Sequence, residues 1–144
     1  MKALSFYQPW TDLIVTGKKT VELRSCAWND HTRGILAGGF RGEFLVHASS
    51  KTTKEIRRSG AVTGAILGKA EIVGVRHYAT EVEFLTDMPS HLVDHYFNDS
   101  QFACKKAAGF IVSNPVRFEK AVPYKGSSGF FDVPVLIVEA TFSV

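Results

Sequence analysis

The sequence predicts an α+β fold that is mainly β: about six short strands closing into a small β-barrel, with short flanking helices. Three observations predict it. Apolar and polar residues alternate over several short segments, which is the period of a half-buried strand. The longest of these segments carries Gly64, Gly68 and Gly74, as the bulges and curvature of a closing barrel require. No Gly-rich phosphate loop follows a strand, which removes doubly wound and P-loop folds. The 11 Phe residues suit a β-rich core.

Residues 2–6 read as a strand, with Leu4 and Phe6 alternating against Ala3 and Ser5. A short helix follows over 9–16. Pro9 suits its first position, Trp10, Leu13 and Ile14 form an apolar face, and Gly17 is a natural C-terminal cap. Residues 18–24 return to a strand, with Val21 and Leu23 on one face and Thr20, Glu22 and Arg24 on the other. Residues 25–40 are rich in turn formers and predict a long loop. A strand is expected over 42–48, a polar helix over 51–59 ended by Gly60, and a long strand over 61–78. The acidic stretch 80–99 predicts one or two helices, including 90–97 capped by Ser90. A strand over 110–118 is expected to break at Asn114-Pro115, with a turn at 123–128. The cleanest alternation lies in 135–144 and predicts the last strand.

The chain of 144 residues is expected to form one domain spanning 1–144 with a core large enough to fold without staples. No apolar run reaches the ~18–20 residues of a membrane span, and the opening residues lack the pattern of a secretion signal. The expected location is therefore the cytoplasm, with no membrane partner. Cys26 and Cys104 are read as free thiols. The net charge of +3 is unevenly placed: residues 1–60 carry a balance of +5 and residues 61–144 a balance of −2. That asymmetry points toward a polyanionic partner.

One segment is distinctive. Gly17-Lys18-Lys19-Thr20-Val21-Glu22-Leu23-Arg24 fits a GxKxxExR pattern, and Gln8-Pro9-Trp10 stands just upstream. Arg41-Gly42 precedes Leu45-Val46-His47-Ala48-Ser49, and a glycine-rich strand covers 64–75. Asn114-Pro115 with Phe118 is followed by Pro123-Tyr124-Lys125-Gly126 and Gly129-Phe130-Phe131. This ordered set resembles the ASCH superfamily, including the ASCH domain related to the activating signal cointegrator. The resemblance covers nearly the whole chain apart from 25–40 and 80–108. It implies a PUA-like β-barrel with a basic cleft between the barrel and the first helix, lined by the motif, and binding of RNA or DNA.

The chemistry of these residues is consistent with that expectation, with single-stranded RNA favoured. Lys19 offers an ammonium for a phosphate or base edge, and Arg24 a planar fork for phosphate or stacking. Glu22 can pair with Arg24 or accept from a base amino group. Trp10 offers either a stacking platform for an unpaired base or a core contact. Gln8 either reads an adenine edge or caps its helix. Arg41 and Lys125 flank turns and can track a backbone. In loop 25–40, Trp28, Asn29, His31 and Arg33 are candidates for specificity. His47 is expected as a hydrogen-bonded residue of the barrel. His91 and His95 share a predicted helix with Asp94, but no third ligand is evident, so no metal or cofactor is expected.

A second function class is a hydrolase in the same cleft. One ASCH branch resembles an acetylcytidine amidohydrolase that uses a Lys, a Thr three residues later and a distant Glu. Lys19 matches the first of these, but Glu22 stands at the second position, and a carboxylate does not supply a hydroxyl nucleophile. In a ribonuclease, Lys19 and Arg24 would stabilise a pentacovalent phosphorane while Glu22 acted as general base. Lys19 and Glu22 are thus the catalytic candidates if the domain is an enzyme.

Overall fold

The computed structural model describes residues 1–24, 40–94 and 107–137. Along them run β1 (Lys2–Phe6), α1 (Trp10–Val15), β2 (Val21–Arg24), β3 (Gly42–Ala48), α2 (Lys54–Arg58), β4 (Ala65–Tyr78), α3 (Glu81–Thr86), α4 (Met88–His91), β5 (Ala107–Pro123) and β6 (Phe131–Asp132). The strands form one mixed sheet in the order β2-β5-β4-β3-β1-β6. β1 runs parallel to β3, pairing Ala3 with Leu45 and Phe6 with Ala48, and antiparallel to β6. β2 runs antiparallel to β5, with Glu22 opposite Phe110 and Arg24 opposite Ala108.

The expected barrel is corrected here: among the described residues the sheet is not closed, and β2 and β6 are its edges. A last strand was expected over 135–144. Instead Val135, Leu136 and Ile137 are helical, and the Ile137 N–H donates to the Pro134 carbonyl at 3.1 Å. Proline fixes φ near the helical value and starts such a turn, which outweighs the alternating pattern. Residues 138–144 lie outside the described set, as do residues 25–39 of the loop expected over 25–40 and both cysteines.

Two further expectations change. The helix expected over 90–97 ends at once, because Leu92 takes the left-handed conformation at φ 63°. Ser90 lies inside α4, where its hydroxyl donates to Asp87 rather than capping a new helix. The strand expected to break at Asn114-Pro115 instead runs on as β5. Asn114 absorbs the bend at φ 50°, a conformation asparagine tolerates better than most residues.

The described chain divides into two compact units. One comprises 1–17, 43–71 and 114–144; the other comprises 18–42 and 72–113. In the first, Ala3, Leu45, Ile66, Phe118 and Val133 form a buried cluster, with Tyr124 and Phe131 packed on it. Gly68 in β4 is required by a close approach: a methyl group there would lie 2.1 Å from the Val116 carbonyl oxygen. In the second, Tyr78, Phe84 and His91 form an aromatic trio, with the Phe84 and His91 rings stacked at 4.2 Å.

No helix among the described residues is long and apolar enough to cross a membrane.

Candidate functional site

The motif segment begins where α1 ends. Gly17 takes φ 79° and turns the chain, Lys18 is exposed, and β2 starts at Val21. Thr20 fixes the approach with both backbone groups: its N–H donates to the Ser90 carbonyl at 2.9 Å, and its carbonyl accepts from the Val112 N–H at 2.8 Å. Lys19 does not face solvent, contrary to the reading of its side chain as an open ammonium. It is 2% exposed, and Nζ donates to the His91 carbonyl at the end of α4. Glu22 is 9% exposed. Arg24 closes β2, immediately before residues outside the described set.

The helix that receives Lys19 is held by Asp87. One carboxylate oxygen accepts from Arg76 at 2.7 Å and from the Tyr78 hydroxyl; the other accepts from Ser90 at 2.8 Å. Burial pushes the Asp87 carboxyl up, but the bonds from Tyr78, Arg76 and Ser90 outweigh it and hold the group below the usual carboxylate range. Burial pushes the Tyr78 hydroxyl up, and its bond to Asp87 adds to the shift. His91 is fully buried: one ring nitrogen lies 2.6 Å from the Phe84 carbonyl, and the other accepts from the Val93 N–H at 3.0 Å. A carbonyl only accepts, so Nε2 carries the proton and the ring is neutral. Burial, opposed by the Phe84 bond and reinforced by Lys19, lowers the pKa of His91. Both ring nitrogens of His91 are engaged and α4 ends at Leu92, while His95 lies outside the described residues. No cluster of metal-ligating side chains occurs among the described residues.

In the first unit Gln8 is 5% exposed. Its amide donates to the Val62 carbonyl at 2.9 Å, and its oxygen accepts from the Asp12 N–H at 3.1 Å. Of the two readings of Gln8, the helix cap is the one its geometry makes. Trp10 is half-buried at the start of α1, and Lys125 is exposed. His47 is hydrogen-bonded on both sides, as expected of a residue in this strand: Nδ1 meets the Ser5 hydroxyl at 2.9 Å and Nε2 the Tyr124 carbonyl at 2.7 Å. Burial lowers its pKa against the opposing Tyr124 bond. Arg41, in the second unit, is exposed, and its guanidinium donates to the Phe40 carbonyl at 3.1 Å.

Lys19 enters β2 while Glu22 and Arg24 lie in it, all in the second unit, and Gln8, Trp10 and Lys125 belong to the first. Sequence reasoning missed Asp87 and the His91 carbonyl. A backbone acceptor has no side-chain signature, and only the acidic content of 80–99 drew attention to that stretch.

Fold and motif together define a class: a mainly-β domain, with six strands among the described residues, in which a motif lysine is buried against a one-turn helix and a motif glutamate is buried in the strand that follows it. The family model described as "ASCH domain" matches residues 4–120, and the chain belongs to that family. Among solved structures, the crystal structure of ASCH from Zymomonas mobilis is similar at a TM-score of 0.57 and 12% identity, covering 99% of this chain and 94% of that one. A serine-to-alanine variant of that protein gives 0.53 at 14% identity, covering 99% and 94%. A tyrosine-to-phenylalanine variant gives 0.54 at 13%, covering 99% and 96%. At these identities the likeness is one of fold. No curated protein matches the chain.

Proposed function

We propose that this domain is a cytoplasmic nucleic-acid-binding module, with single-stranded RNA as its favoured ligand and β2 as its recognition strand. The observation that carries the reading is the anchoring of the motif. Taking a lysine and a glutamate out of water is costly unless both are compensated. Here the lysine is buried where it fixes the start of β2 against α4. A strand held at its start presents its later residues in one geometry, as a recognition site requires. In this reading Lys19 and Gln8 position the elements. Glu22 accepts from a base amino group, Arg24 grips phosphate, Trp10 stacks, and Arg41 and Lys125 track the backbone.

One observation favours a second reading. Glu22 is a largely sequestered carboxylate, as a general base shielded from bulk water would be. A ribonuclease or a modified-nucleoside amidohydrolase at the same strand would use it with Lys19.

Titration of labelled single-stranded RNA, duplex RNA and DNA at two salt concentrations, with the products then run on a gel, tests both. Salt-sensitive binding that leaves the RNA intact and weakens in Arg24→Gln supports the module. Cleavage or deacylation that is lost in Glu22→Gln while binding persists moves the assignment to the enzyme. If none of the three polymers binds, the binding module is refuted.

A further inference from the structure

The positive excess of this chain has one address. Lys51, Lys54, Arg57 and Arg58 stand against Glu55 alone, so residues 51–58 carry +3, the formal net charge of the whole protein. The other residues balance, with thirteen charges of each sign. All four cations are exposed. Among the described residues no ion pair engages any of them.

The helix that carries three of them, α2, is not there to build a core. None of its five residues is buried, and only Ile56 is even half-buried. A helix this short has no stability of its own. Its start is held by Thr53, whose hydroxyl accepts from the Ile56 N–H at 3.2 Å. Lys54 and Arg58 stand four apart, a like-charged pair that weakens a helix. Glu55 in the first turn and Arg57 and Arg58 in the last suit the helix ends, but none of the cations is needed to fill a core.

The two roots of this excursion are pinned beside the same short stretch. The Ser49 N–H donates to the Phe6 carbonyl at 2.8 Å, and the Gln8 amide donates to the Val62 carbonyl at 2.9 Å. Tyr7 lies between those two anchor points, and it is 59% exposed. An exposed aromatic ring between the roots of a cationic segment supplies the two contacts used to hold single strands: cations on the phosphates, a ring under a base. A charged lipid surface fits less well, because an interfacial helix needs an apolar face and α2 has none.

We propose that α2 with Lys51, and Tyr7 at its root, form a second contact surface that tracks the backbone of a single-stranded nucleic acid. The surface lies wholly in the first unit, and the motif strand belongs to the second. It rests on the nucleic-acid reading above and adds a site to it.

The test is fluorescence anisotropy of a labelled oligouridine RNA across a salt series. It compares the natural protein, the triple variant Lys54→Gln/Arg57→Gln/Arg58→Gln, Tyr7→Ala and, separately, Arg24→Gln. Lys54, Arg57, Arg58 and Tyr7 are exposed, and matching far-ultraviolet spectra and melting temperatures confirm the folds. Losing three phosphate contacts makes the slope of log K against log salt shallower by about 2, so binding is about 100-fold weaker near 0.1 M and converges with the natural protein toward 1 M. Tyr7→Ala weakens binding about fivefold or more with the slope unchanged, because stacking releases no counterions. If Arg24→Gln weakens binding while the triple variant keeps the natural slope and affinity, this proposal fails and the motif-strand reading stands. If the natural protein shows no salt-sensitive binding to RNA, both fail together. Binding to phosphatidylserine vesicles in place of RNA would assign the patch to a membrane and overturn the proposal.

Discussion

Two fully buried histidines make stability depend on pH in a direction the structure fixes. His47 holds the Ser5 hydroxyl and the Tyr124 carbonyl; His91 holds the Phe84 carbonyl and the Val93 N–H. His91 keeps Nδ1 bare to accept from Val93, the Ser5 hydroxyl can donate to or accept from Nδ1 of His47, and burial lowers both pKa values from 6.5, which favours the neutral ring in the fold. In the unfolded chain they take up protons as the pH falls through that ordinary value, while the folded protein does not. Stability is therefore complete above pH 6.5 and is lost on acidification until the folded groups protonate. Linkage sets the slope at about 1.4 kcal/mol per pH unit for each proton taken up only by the unfolded chain. The pair can thus remove up to about 2.7 kcal/mol between roughly pH 7.5 and 5.5, a ceiling reached only if neither ring protonates in the fold. The two have no partner in common, so their contributions should add. Urea unfolding at a series of pH values reads the slope directly. His47→Gln can still donate to Tyr124 and accept from Ser5, and it should lower the acid slope by up to half; the double variant His47→Gln/His91→Gln should flatten it. An unchanged slope in the double variant would refute the reasoning, as would a natural protein that gains stability between pH 7 and 5.5.

Three further outcomes rest on close contacts and on the Asp87 network. Gly68→Ala places a methyl 2.1 Å from the Val116 carbonyl oxygen, and because that atom is backbone the two strands must separate. A loss at or above the ~1–3 kcal/mol of ordinary overpacking is expected in the urea midpoint. Gly126→Ala puts its methyl 2.6 Å from the His47 ring, which Ser5 and Tyr124 hold in place, and a loss of about 1–3 kcal/mol is expected by the same measurement. Asp87→Asn weakens the bonds from Arg76, Tyr78 and Ser90 and should cost about 1–3 kcal/mol at neutral pH, little of it from the largely exposed Arg76. Since the Asp87 carboxyl is held below 3.8, that difference should be complete above this value and vanish as the pH falls through the folded value; thermal unfolding at neutral and strongly acidic pH reads it.

The legible part of the sequence was local. β1, β3 and most of β4 came from alternation, and α1 from its apolar spacing and Gly17, because those signals lie within the segment that folds. The failures are places where one residue overrides a pattern. Pro134 turns the start of the last alternating run into a helix, Leu92 ends α4 in a left-handed conformation no leucine advertises, and Asn114 carries β5 through a Pro that normally stops a strand. β6 is two residues long, too short for any period to show. The site divides in the same way. The motif strand is visible as residue types at fixed spacing, whereas its support is a peptide carbonyl 72 positions away, which any residue at position 91 would supply.

That support bears on the role of the motif lysine. α4 is a single turn of four residues, too short for its last carbonyls to find partners within the helix. Thr20 and Lys19 bond two of them, and a cation suits this end of a helix. Lys19 therefore acts as a cap delivered from another strand. Stability alone does not reveal whether the cap also serves recognition: Lys19→Met leaves a carbonyl without its donor, at about 1–3 kcal/mol, but also removes the cost of a buried ammonium. A double-mutant cycle on binding does reveal it. If Lys19 matters because it fixes the strand that presents Arg24, then Lys19→Met lowers RNA affinity in protein that is still folded. Adding Arg24→Gln then costs much less than it does in the natural background. The salt slope changes by no more than about 0.7, the one phosphate contact Arg24 makes in this reading. Full additivity would mean that the two act separately, and an unaltered affinity in Lys19→Met would reduce the lysine to a structural cap.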